Sequence, residues 1–105
     1  MKTEIEHKEA IAKIANAHTE EEQLRQMEEE AVECALAIIK MRRHGHNPIT
    51  RKDLVTELAD CLIMIEQLVW RFGYQDEVAI EMVNKINREL TRTGQAEFFT
   101  TEVFI

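Results

Sequence analysis

The chain has 105 residues, with 13 Lys and Arg against 20 Asp and Glu for a net charge of −7. That length suits a single domain over 1–105, and the acidic balance disfavours nucleic-acid partners, whose phosphate backbones are held by cationic side chains. No apolar run approaches the roughly 18 residues of a membrane span, and the opening MKTEIEHKEAI turns acidic where a signal peptide would be oily, so a cytoplasmic protein with no membrane partner is expected.

Thr3 followed by Glu6 has capping-box spacing and predicts a first helix through about Ala17, with Ile5, Ala10, Ile11, Ile14 and Ala17 as one apolar stripe. Thr19 and Glu22 repeat the box, which predicts a break near His18 and a second helix from Glu20 to about His44, stopped at Gly45. Thr50 with Asp53 predicts the next N-terminus, and Gly73 ends that third helix after Phe72. A fourth helix over Asp76–Thr93 carries Val78, Ala79, Met82, Val83, Ile86 and Leu90 on one stripe and stops at Gly94. The closing QAEFFTTEVFI is rich in aromatic, Thr and β-branched residues and predicts a strand or an extended arm that covers a neighbouring subunit. The expected fold is all-α: a four-helix bundle completed by oligomerisation, with a C-terminal extended arm.

The two central helices are the oiliest part of the chain. Glu33 is the only charge in AVECALAII, and Glu57 and Asp60 are the only charges in LVTELADCLIMI. Helices apolar nearly all round are buried on most sides. The first and fourth helices cannot cover that much surface, so a homo-oligomer, dimer or tetramer, is expected. Cys34 and Cys61 lie within these runs and fit reduced, packed thiols, an interhelical disulfide being the alternative. Neither belongs to a CxxC pair.

Each central helix also carries two acids at i,i+3: Glu30 with Glu33, and Glu57 with Asp60. Such pairs share one helix face. Joined by a short connection over about Gly45–Ile49, the helices must run antiparallel, which leaves the two acid pairs roughly 4–8 Å out of level along the axes. Side-chain reach can close that gap around one or two divalent cations. A solvated acidic face suits Glu20, Glu21, Glu22, Glu28 and Glu29, but not Glu33 or Asp60 with their apolar neighbours. Desolvating crowded carboxylates is costly, and neither helix holds a Lys or Arg within its acid region to balance them. Oxygen-only ligands select Mg²⁺, or Mn²⁺ as a substitute, over zinc or copper. A di-iron bundle needs paired Glu-x-x-His motifs, and Glu4–His7 has no second copy.

The text Glu29-Glu30-Ala31-Val32-Glu33, then 23 intervening residues, then Glu57-Leu58-Ala59-Asp60 resembles the EExxE…ExxD pattern of the all-α nucleoside triphosphate pyrophosphohydrolases of the MazG type. The likeness runs over roughly Leu24–Arg92, including KINRELTR in the fourth helix. It implies that Glu30, Glu33, Glu57 and Asp60 hold Mg²⁺. It also implies cleavage of a nucleoside triphosphate, often a deoxy one, between the α and β phosphates to the monophosphate and pyrophosphate. Glu33 at the edge of the cluster is the candidate proton acceptor for the attacking water. Glu29, also placed in the catalytic set, is either a water-orienting neighbour or plain helix surface. Lys85, Arg88 and Arg92 form a basic stripe suited to the β and γ phosphates, and Asn84, like Asn87, offers donor and acceptor groups to a base. The same cations also suit a helix C-terminal half through its dipole. Trp70 fits packing better than base stacking. A lysine usual before the acids in the phosphoribosyl-ATP branch is missing here, where Gln23, Gln26 and Met27 stand, so base identity is left open. A non-catalytic helical oligomer or nucleotide-binding regulatory module on the same scaffold is the alternative.

Overall fold

The computed structural model describes residues 2–100, and residues 101–105 of the expected C-terminal arm lie outside them. Four helices follow in order: α1 (His7–Asn16), α2 (Glu20–His44), α3 (Pro48–Phe72) and α4 (Gln75–Arg92). No strand occurs among the described residues, and Gln95–Thr100 runs without regular structure. No helix is long and apolar enough to cross a membrane.

The expected capping box at Thr3 does not form. Residues 2–6 are exposed and irregular, and α1 starts at His7 with Glu6 at the N-cap and no side-chain cap. An extra turn there would have only Ile5 to bury, and a turn without packing does not repay the ordering of its backbone. The His7 imidazole, at the first helical residue, meets the Glu66 carboxylate of α3. The box at Thr19 and Glu22 does form, with Glu22 N–H donating to Thr19 Oγ1 at 3.1 Å and Thr19 N–H to Glu22 Oε1 at 2.8 Å. These bonds favour the Glu22 carboxylate and lower its pKa.

The start of α3 also differs from expectation. Asn47, not Thr50, is the N-cap; its Oδ1 accepts from the Ile49 and Thr50 N–H groups, both at 3.0 Å, and Pro48 takes the first helical position. Proline suits that place because its missing N–H would have no partner there. Thr50 serves as the third residue of the helix, accepting from Asn47 N–H at 3.1 Å and donating to the Gly45 carbonyl at 2.8 Å. The connector therefore shrinks by two residues to Gly45–Asn47, which brings the acid pairs about 3 Å closer to level than the sequence suggests. Asn47→Ala should cost about 1 kcal/mol in a chemical-denaturation measurement. Gly73 adopts φ 68°, the left-handed geometry that ends α3, and Phe72 and Tyr74 stack across it at 5.4 Å between ring centroids.

Helix α3 is the hub. It packs along α2 as the second arm of an antiparallel hairpin and also holds α1, whereas its contact with α4 is small. The buried apolar residues are few: Ile11 and Ala15 from α1, Ala37 from α2, Met64 and Val69 from α3. Much of the oil expected inside lies outside. Val32, Leu36 and Ile39 on α2, and Val55, Leu58, Leu62 and Ile65 on α3, are exposed, with Val32 and Leu62 each at 59%. The acids lie on the seam instead, so the apolar faces look away from it.

Candidate metal centre

The seam between α2 and α3 repeats at steps of three and four residues: Gln23, Gln26, Glu30, Glu33 and Ala37 on one helix, Glu57, Asp60, Met64, Gln67 and Arg71 on the other. This is the spacing of facing positions in an antiparallel helix pair. It brings Glu30, Glu33 and Glu57 together, one carboxylate oxygen from each lying within 4.8 Å of the others. Glu30 is buried, Glu57 half-buried and Glu33 exposed in the single chain. The exposure of Glu33 departs from the dry setting its apolar neighbours suggest, because Val32 and Leu36 beside it are open as well. Asp60 lies one turn beyond Glu57, half-buried, outside the three-oxygen group but close enough for its charge to act on Glu57.

The electrostatics record this crowding. Desolvation raises the Glu57 pKa above its ordinary value, and Glu33, Asp60 and Glu30 raise it further, in that order. Gln26 Nε2 donates to Glu30 Oε1 at 2.8 Å, yet the other oxygen, Glu30 Oε2, and Glu57 Oε2 are fully enclosed with no hydrogen-bond partner among the described residues. Two orphaned carboxylate oxygens and a third acid at their edge form an all-oxygen donor set that fits a hard divalent cation such as Mg²⁺ or Mn²⁺. Next to it the Cys34 and Cys61 thiols are free; burial pushes the Cys61 thiol up, and Cys34 beside it adds to the effect.

A cleft of about 520 Å³ opens from the acids toward α1. Glu30 and Asp60 border it, Glu29 lies on it with its side chain exposed, and Gln23 and Gln67 line its far part. Gln23, 1% exposed, donates from Nε2 to Gln67 Oε1 at 2.7 Å and accepts from Arg71 Nε. Arg71 Nη2 also donates to the carbonyls of Ala15 and His18, each at 2.6 Å, and so ties the end of α1 to the hairpin. These three residues were not among the site candidates from sequence. The signal was present: a glutamine in the apolar run LIMIEQLVW, in heptad register with Asp60 and Arg71.

The basic stripe lies elsewhere. Lys85, Arg88, Arg92 and Asn84 are exposed on α4, and none lines the cleft. Lys85 pairs with Glu81 at 4.0 Å and Arg92 with Glu89 at 2.5 Å. Asn87 is occupied by the chain itself, donating to the Phe99 carbonyl at 3.0 Å and accepting from its N–H at 2.7 Å, as a paired strand would. Trp70 is 36% exposed and does not line the cleft. No family model, curated protein or solved structure matches the chain.

Proposed function

We propose that this protein is a metal-dependent nucleoside triphosphate pyrophosphohydrolase of MazG-like character, cleaving between the α and β phosphates to release a nucleoside monophosphate and pyrophosphate. The observation that carries this is the pair of enclosed, partnerless oxygens on Glu30 and Glu57 beside Glu33. Like charges are not gathered in partial burial without a counter-charge. Glu30, Glu33 and Glu57 would hold Mg²⁺ or Mn²⁺, with Asp60 completing the set from the cleft side. Such an ion neutralises triphosphate charge and lowers the pKa of a bound water.

The chain's own groups divide the remaining work. Glu33, the most open of the cluster acids, accepts the proton of the attacking water. Glu29 at the cleft border orients that water. Lys85, Arg88, Arg92 and Asn84, exposed on α4 and outside the lining of the cleft, take no part in this reading of the single chain. A homo-oligomer, dimer or tetramer, covers the exposed Val32, Leu36, Leu58 and Leu62 faces, since contiguous apolar surface of this kind marks an interface. Sedimentation should therefore give more than one chain's mass, and Leu62→Glu should bring it down to one.

The decisive assay incubates the protein with a panel of NTPs and dNTPs plus Mg²⁺ and measures pyrophosphate. Release that Glu57→Gln abolishes supports the proposal. Metal-dependent stabilisation with no turnover of any substrate would favour a binding or regulatory module instead.

A further inference from the structure

The far end of the cleft has a fixed hydrogen-bond polarity. Arg71 can only donate, so the Gln23 atom facing it must be the carbonyl oxygen, as found. Gln23 must then turn its amide nitrogen to Gln67, whose oxygen accepts it at 2.7 Å. The Gln67 nitrogen is thereby forced to the opposite side. Gln67 is 4% exposed, and its Nε2 makes no hydrogen bond among the described residues. The fully enclosed, partnerless polar atoms belong to Glu30 and Glu57, not to Gln67. The Gln67 nitrogen is therefore not fully enclosed, and Gln67 lines the cleft together with Ile14, Ile63 and Met64.

We infer that this is a nucleobase reader: Gln67 Nε2 donates to a ring carbonyl on the base edge farthest from the sugar, while Ile14, Ile63 and Met64 bear on the ring. The inference rests on the proposed nucleotide reaction and adds the substrate's base class. Asp60 and Gln67 are seven residues apart on α3, roughly 10 Å along the axis, so a nucleotide with its phosphates at the acids presents its distal edge to Gln67. A donor at that point selects the keto group of uracil, thymine, hypoxanthine or guanine. The amino group of cytosine or adenine would set donor against donor. Gln23 and Arg71 are positioning residues: they lock the amide and touch no ligand.

The test is calorimetric binding of α,β-imido analogues of dUTP, dCTP, dITP and dATP with Mg²⁺ to wild type, Gln67→Glu and Gln67→Met. Wild type should prefer the uracil and hypoxanthine analogues by about tenfold, the worth of one good hydrogen bond against an unpaired one. Gln67→Glu, an acceptor of nearly the same shape, should reverse the order. Gln67→Met should flatten it, and keeps the test open should the charged variant fold poorly. Equal wild-type affinities, or a preference that both variants leave as it was, would overturn the reader. Hydrolysis of dNTPs without that preference removes the reader alone. Gln67-dependent binding without hydrolysis removes the proposed reaction alone. Neither binding nor hydrolysis removes both.

Discussion

Glu57→Gln is expected to raise the thermal midpoint of the metal-free protein and, in the same variant, to abolish stabilisation by Mg²⁺ or Mn²⁺. Both effects come from one carboxylate. In the metal-free state its enclosed Oε2 lacks a partner and its charge is opposed by Glu33, Asp60 and Glu30. An amide removes the repulsion and can donate to either neighbouring glutamate, so the midpoint should rise by a few degrees. With metal the order inverts. Saturation at about 100 times Kd contributes about 2.7 kcal/mol to the wild type. In a domain of this size that is a rise of about 10–20 °C, which the variant should lack. Loss of groups that merely orient a metal ligand costs about 10–100-fold in affinity or activity, so loss of a ligand should cost at least about 100-fold in pyrophosphate release.

The same residue sets a pH signature. A glutamate whose pKa is raised on folding binds its proton more tightly in the native state. Its contribution to stability is complete below the unfolded value of 4.5 and is lost as pH rises through the raised native value. Metal binding needs the carboxylate form, so the metal-induced shift in midpoint should grow over that same window. Thermal scans at a series of pH values, with and without Mn²⁺, measure both trends, and Glu57→Gln should flatten them. A metal shift that is constant with pH would place the ion elsewhere.

What was legible in the sequence followed from local chemistry. Glycines at 45 and 73 end helices because each takes a positive φ, and Thr19 with Glu22 caps α2 through short-range bonds. The convergence of Glu30, Glu33 and Glu57 was legible because the spacing puts each pair on one face and a short connector forces the helices antiparallel. Thr50 misled because a cap and the residue three beyond it share the same chemistry. Both oxygens and both N–H groups fit, and only the proline at position 48 tips the choice to Asn47. The amide–guanidinium chain was hidden for another reason. Gln23 comes just before the acidic run and Gln67 sits among Leu, Ile and Val, so neither looks like part of a set until α2 and α3 are laid side by side. Oily composition, in turn, predicts that these helices are covered but not by what. In the single chain the seam is polar and the exposed faces are apolar.

Arg71→Ala should be the most destabilising single change outside the hydrophobic residues, by about 3 kcal/mol, because a charged donor is lost and a buried acceptor is left unpaired. Gln23 Oε1 has no other donor among the described residues, and Gln23 is 1% exposed, so water cannot readily replace the guanidinium. The His18 carbonyl loses its donor as well and the Ala15 carbonyl keeps only the His18 N–H; they belong to the link to α2 and the last turn of α1. The thermal midpoint should fall by roughly 10–20 °C. Hydrogen exchange should locate the loss in α1, whose amides would open well before those of the α2–α3 hairpin. Arg71→Lys should recover only part of it, since one ammonium cannot span an amide oxygen and two carbonyls as a planar fork does. The acid cluster should still respond to Mn²⁺ in both variants, since Arg71 touches none of its members. Loss of the metal response in Arg71→Lys would mean that α1 and its anchor help to shape the carboxylate site itself.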